Sequence, residues 1–105
     1  MYARIAFFED HDPVQIDELI RRLDERSRRH EEVLPESRAF LTLVDREAGK
    51  SIGITFFETL EGLQASESAL ASFPKTYPDS LKGRRVRLEV YEVGVVDRSG
   101  AIVAS

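Results

Sequence analysis

The chain contains no cysteine, no tryptophan and a single methionine. Without cysteine there is no disulfide framework, no thiolate nucleophile and no Cys-ligated zinc or iron–sulfur centre, and nothing is learned about compartment. Histidine is nearly as scarce: His11 and His30 are the only two, with neither HxxE nor HExxH spacing, so no metal site is expected. Long apolar runs are missing as well. No uncharged stretch exceeds seven residues, which leaves nothing to span a bilayer, and Glu9 and Asp10 come too early for a secretory h-region. A cytoplasmic location, away from membranes, is the default expectation. Basic charge is not in excess: 15 Lys and Arg stand against 19 Asp and Glu, a net charge of −4, so nucleic acid is not an expected partner. A Gly-rich phosphate loop and a GxSxG elbow are both lacking.

What is present is enough to fold. A chain of 105 residues, 42% hydrophobic and 32% charged, fits one packed domain. Tyr2 to Glu9 is rich in aromatic and branched residues and ends in Glu9-Asp10-His11-Asp12, as a strand entering a loop does. Asp12, Pro13 and Gln15 then supply a cap, a proline where its missing N–H costs nothing, and an amide for a capping box. Ile16, Leu19, Ile20 and Leu23 follow at i, i+3, i+4 and i+7, predicting an amphipathic helix that ends near residue 30, ahead of Pro35. Its charged residues, Arg21, Arg22, Arg26, Arg28 and Arg29 interleaved with Glu18, Asp24, Glu25, Glu31 and Glu32, read as a solvated, ion-paired face rather than a nucleic-acid surface.

Arg38 to Asp45 and Ser51 to Glu58 form a hairpin across a polar loop containing Gly49. Thr59 caps a second helix carrying Leu60, Leu63, Leu70 and Phe73, which Pro74 stops. After an irregular connection from Lys75 to Gly83, a last strand runs from Arg84 to about Val96. Residues 97–105 are read as a tail or a short extra strand. The order β-α-β-β-α-β is the split unit of the ferredoxin-like fold, an α+β class in which a four-stranded antiparallel sheet carries both helices on one face.

Alternation divides each strand into two sets. Ile5, Phe7, Leu41, Leu43, Ile54, Phe56, Leu88 and Val90 are almost purely hydrocarbon, and this set is expected under the helices. The other set mixes apolar and charged side chains: Tyr2, Arg4, Phe8, Phe40, Thr42, Val44, Thr55, Phe57, Arg87, Glu89, Tyr91 and Val93. Five of the nine aromatics fall in it, and no helix remains to cover it. An uncovered face of that apolarity calls for a partner, and the economical one is a second copy, sheet against sheet about a two-fold axis. A homodimer through the sheet face, with a pocket between each sheet and its cover, is the expectation.

Tyr2-Ala3-Arg4, the run from Leu43 to Lys50, the run from Ile52 to Glu58, Ala65-Ser66-Glu67 and Tyr91-Glu92-Val93 together resemble the antibiotic biosynthesis monooxygenase-like domains of the dimeric α+β barrel superfamily. The resemblance covers nearly the whole chain, and residues 1–96 are read as its ferredoxin-like domain. It implies ferredoxin-like protomers paired into a barrel, a hydrophobic cavity in each, and, among the enzymes, oxidation of aromatic or polyketide-like molecules or quinols by O₂ without a cofactor. It also implies a tryptophan and an asparagine near the cavity, and this chain has neither; Phe56-Phe57-Glu58 stands where close relatives read Leu-Trp-Glu.

Within the mixed set, Arg4 or Arg87 is the candidate to hold an anionic ligand, and Glu89 or Tyr91 the candidate to move its proton. The competing reading is an Arg4–Glu89 pair across neighbouring strands that only neutralises charge. Tyr2, Phe8, Phe40, Thr42, Thr55, Phe57 and Tyr77 are the candidate ligand-binding residues, Tyr77 as a lid or else as a packed loop aromatic. His11 reads as a solvated loop residue beside the helix cap, with a base or metal ligand as its alternative. His30 reads as a cation at a helix C-terminus, with haem ligation as its alternative. A small hydrophobic molecule is the expected partner, turned over as in the monooxygenases or bound without chemistry. A cavity far below the roughly 300 Å³ of ordinary ligand sites, or one plugged by Phe40 and Phe57, points to the second.

Overall fold

The computed structural model describes residues 1–29, 32, 34–72, 77, 81 and 83–97. Four strands and two helices follow one another as β1 (Tyr2–Glu9), α1 (Ile16–Ser27), β2 (Ser37–Asp45), β3 (Lys50–Phe57), α2 (Leu60–Ser72) and β4 (Arg84–Glu92). The strands form one antiparallel sheet in the order β2-β3-β1-β4, which is the ferredoxin-like arrangement. Of the sequence argument for α1, the Asp12 cap is present and the end falls earlier than expected. Asp12 accepts a hydrogen bond from the Val14 amide at 3.0 Å, and a single 3₁₀ turn at Pro13–Gln15 leads into the helix. The helix closes at Ser27, three residues before the expected end, where the Ser27 hydroxyl donates to the Asp24 carbonyl at 2.7 Å. Thr59 caps α2 through the Gly62 amide at 3.0 Å. His30, Phe73, Pro74, Pro78 and the tail from Arg98 lie outside the described residues.

β4 stops at Glu92 rather than Val96 because its one ladder partner, β1, begins at Tyr2; the last link is Val93 N–H to the Met1 carbonyl at 2.8 Å. A bulge between Phe7 and Phe8 sets Phe7 opposite Arg87 but Phe8 opposite Arg85, leaving Val86 as the extra residue.

The two faces of the sheet are not the ones expected from apolarity. In β1, β2 and β3 it is the mixed set that lies under the helices. Arg4 is 4% exposed and Phe57 fully buried, and Phe57 packs with Leu34, Leu63 and Leu70 in a core flanked by Tyr2 and Ala69. The hydrocarbon set, Ile5, Phe7, Leu41, Leu43, Ile54 and Phe56, together with Ile52, lines the opposite face, which no helix covers among the described residues. In β4, Leu88 stands opposite Ala6 and Val90 opposite Arg4, on the helix side as expected, but on this edge strand both are exposed rather than covered by a helix. Arg87, Glu89 and Tyr91 therefore share the outer face with Phe7, Ile5 and Ala3 and are not neighbours of Arg4.

The exposed side of α1 is ion-paired as read from its sequence: Arg21 reaches Glu18 and Glu25, Arg22 reaches Glu18, and Arg28 reaches Asp24. Hydrogen bonds from Arg21 and then Arg22 pull the Glu18 carboxyl down to about 2. No helix among the described residues is long and apolar enough to cross a membrane.

Candidate functional site

Between the helices and the sheet lies a cavity of about 90 Å³. Its floor is a belt of small residues across three adjacent strands, Ala6, Gly53 and Thr42, held in register by the β1–β3 and β3–β2 ladders. Phe8 and Phe40 wall it on the sheet side, and Leu19, Leu23 and Leu70 close it from the helices. Arg4, Thr55, Ser51, His11, Arg26 and Tyr77 supply the polar remainder. A second hollow, of about 420 Å³, runs along the end of the sheet past Phe7, Leu43, Ile52 and Arg87; Glu9, Asp45 and Lys50 also line it, which suits contact with solvent.

Of the residues singled out in the sequence, Arg4, Phe8, Phe40, Thr42, Thr55 and Tyr77 come together on this cavity. Phe57 and Tyr2 belong instead to the neighbouring core. Arg87, Glu89 and Tyr91 are on the far face of the sheet. There Tyr91 donates its hydroxyl to Glu89, Glu89 also pairs with Arg87, and the Arg87 guanidinium stacks 4.0 Å from the centre of the Phe7 ring. The bond to Glu89 holds the Tyr91 hydroxyl above its ordinary range. The expected Arg4–Glu89 pair is not formed: Arg4 Nε donates at 2.7 Å to Glu67 of α2. Thr42 Oγ1 is buried and has no hydrogen-bond partner, which leaves a polar group without a mate on the cavity side of β2.

Residues that the sequence reading assigned to solvent complete the site. Arg26 is not part of the solvated face: its guanidinium lies 4.4 Å from the centre of the Phe40 ring, and burial lowers its pKa. Spacing held the clue, because Arg26 follows Leu19 and Leu23 at i+7 and i+3 and so continues their stripe. Arg22 stands over Tyr77, 6.0 Å from the ring centre. His11 is 7% exposed rather than solvated, its ring fixed between the Leu81 carbonyl at 3.1 Å and Ser51 Oγ at 2.8 Å. Among the described residues no group of three or more His, Asp or Glu side chains is placed to hold a metal.

Burial pushes the His11 imidazole below its ordinary value of 6.5, outweighing the Leu81 carbonyl and the Asp10 carboxylate, which pull it up. The unfolded chain then binds a proton near pH 6.5 that the native state refuses until lower pH. Stability is therefore expected to fall as pH drops through 6.5, by up to about 1.4 kcal/mol per pH unit, and to level off below the native pKa. Urea unfolding at about pH 7.5 and about pH 5.5 checks this, and His11→Asn should flatten the difference.

No protein-family profile matches the chain, and no curated protein sequence does either. Solved structures do. A dimeric ferredoxin-like protein from an uncultured marine organism superposes with a TM-score of 0.61 at 16% identity, over 92% of this chain and 98% of its own. The monooxygenase of the ActVA-Orf6 gene of Streptomyces coelicolor, solved with nanaomycin D, gives 0.60 at 15% identity over 99% and 92%. SnoaB of Streptomyces nogalater, a cofactor-independent oxygenase, gives 0.57 at 9% identity over 90% and 93%. Identities this low establish the fold: this chain is built as the antibiotic biosynthesis monooxygenases are, and the likeness extends over nearly all of it.

Proposed function

We propose that the protein binds a small, single-ring aromatic molecule carrying a polar group in the cavity between sheet and helices, and that it works as a homodimer paired through the helix-free face. The observation that carries the binding reading is the cavity's make-up: apolar walls from Phe8, Phe40, Leu19 and Leu23, with the unpartnered Thr42 hydroxyl set among them. Neighbours of the same fold, one a cofactor-independent oxygenase and one a monooxygenase solved with nanaomycin D bound, support a small-molecule site. Dimerisation draws on the apolar outer face, and on a neighbour described as dimeric. The volume of about 90 Å³ favours a ligand of one ring and also supports the non-catalytic version of this reading, in which the molecule is held and released unchanged. Oxygen uptake with an electron-rich quinol separates that version from a monooxygenase.

Gly53 provides the test. A Cβ built there meets only Phe40 Cε2, at 3.9 Å, so the strand has no steric need for glycine at this point and the missing side chain leaves the cavity open. Glycine within a strand costs roughly 0.5–1 kcal/mol against alanine. Gly53→Ala is expected to stabilise the protein by about that amount. Gly53→Val, which fills the floor, should abolish the binding of single-ring phenols measured by titration calorimetry while the circular dichroism stays native. Unchanged binding in Gly53→Val would mean that the ligand sits elsewhere.

A further inference from the structure

At one end of the cavity is a buried polar pair that the binding reading does not use. His11 leaves β1 through Asp10, whose φ is 63°, and two glycines clamp it. Gly49, at φ 66°, accepts the His11 amide at 2.9 Å, and a Cβ there would lie 2.5 Å from the His11 carbonyl oxygen. Gly83, at φ 64°, comes so near the ring that a Cβ would lie 2.6 Å from Cε1. The imidazole thus sits in one orientation, and its tautomer follows from its partners. A carbonyl oxygen only accepts, so Nδ1 carries the hydrogen given to Leu81 at 3.1 Å; Nε2 is then the bare nitrogen, and the Ser51 hydroxyl donates to it at 2.8 Å. Ser51 is one strand step pair from Gly53 on the cavity side of β3, and both Ser51 and His11 line the cavity wall.

We propose that Ser51 and His11 form a proton-accepting relay for a ligand bearing an acidic hydroxyl, a phenol or an enol; this rests on the reading of the cavity as a small-molecule site. The ligand's O–H bond breaks and its proton goes to Ser51 Oγ, while the proton already on Ser51 passes to His11 Nε2. The products are a ligand oxyanion and an imidazolium that still donates Nδ1–H to Leu81. No electrons change hands, and a neutral pair has become an ion pair. Arg26, stacked on Phe40, and Arg4, paired with Glu67, line the same cavity and add positive charge to it. The groups about the imidazole are the Leu81 carbonyl, the Ser51 hydroxyl and the Asp10 carboxylate, the last itself bound by Arg84 at 2.8 Å. Burial keeps the ring unprotonated at neutral pH, so the site for the incoming proton is vacant.

The experiment uses 4-nitrophenol, whose phenolate absorbs in the visible and whose ionisation lies near neutrality. With the wild-type protein, the bound probe is expected to show phenolate absorbance to a pH about one unit or more below that of the free probe. Ser51→Ala should bind the probe with the shift largely lost, and Ser51→Thr, which keeps a hydroxyl, should restore it. A merely structural Ser51–His11 bond would leave the bound probe's spectrum the same in Ser51→Ala, and that result overturns the relay, as does a wild-type midpoint equal to that of the free probe. Binding without a shift overturns the relay alone, whereas failure of the wild type to bind any single-ring phenol overturns the cavity reading together with it.

Discussion

Leu43→Asp is expected to give a folded protomer that no longer pairs. Leu43 is 46% exposed in the single chain, so a carboxylate there can stay in water while the chain is alone, and the fold should survive. In a sheet-to-sheet dimer the same position lies within the apolar patch formed by Ile5, Phe7, Leu41, Ile52, Ile54 and Phe56, with Arg87, Glu89 and Tyr91 of the edge strand along its margin. That layout, apolar at the centre and polar at the rim, is the one stable interfaces have. A charge placed in the patch without a partner costs about 3 kcal/mol or more. Two-fold symmetry enters it twice, so the loss is about 6 kcal/mol, on the order of ten-thousand-fold in Kd. Sedimentation equilibrium at micromolar protein should then move from twice the chain mass to the single 11.9 kDa species. Val14→Asp, on a residue 84% exposed at the start of α1, is the control and should leave the dimer intact. A wild type that sediments as one chain, or a Leu43→Asp variant that keeps the paired mass, removes the outer face as an interface.

Much of the fold could be read directly because its signals are local. Asp12 and Thr59 cap where a side-chain oxygen followed by a helical stripe says they should, and Gly49 turns the hairpin with a positive φ. The order of elements, and with it the ferredoxin-like topology, needs no more than these boundaries. The facing of the sheet is a different kind of fact. Ranking the two sets by apolarity assumes that a chain buries its greasiest surface against its own helices. That rule fails where the helix side has to hold a cavity with polar groups in it and the hydrocarbon side is free for another surface. The parity of β4 against β1 was equally out of reach, since it depends on which residues pair and on the bulge at Val86. The second error alone joined Arg4 to Glu89 and Tyr91 across a sheet that separates them.

Arg26 was within reach of periodicity, because it extends the stripe of Leu19 and Leu23, and only its charge argued for solvent. Ser51 and Gly53 alternate with Thr55 and Phe57 and so share their face. His11 had no such signal. Its burial is made by Leu81, 70 residues away, and by close approach of Gly49 and Gly83, contacts that no spacing in the sequence announces.

The Arg4–Glu67 pair ties β1 to α2, and its two halves should respond unequally to removal. The Arg4 side chain is 5% exposed and that of Glu67 38%. Glu67→Ala strands a buried guanidinium with its Nε and one terminal nitrogen robbed of the carboxylate they now share. An unpaired buried charge of this kind costs about 3–5 kcal/mol. In Arg4→Met the carboxylate turns out to water from its half-open position, and the methionine keeps most of the packing that the arginine stem provided, so the loss should be nearer to about 1–2 kcal/mol. Joining Arg4→Met to Glu67→Leu removes both charges and should recover much of the difference, since an apolar pair of similar volume often matches a buried ion pair. Urea midpoints at constant m-value give the ordering directly. If Arg4→Met proves as damaging as Glu67→Ala, then the guanidinium holds the fold through contacts other than Glu67, and the cavity wall is stiffer than a single ion pair would make it.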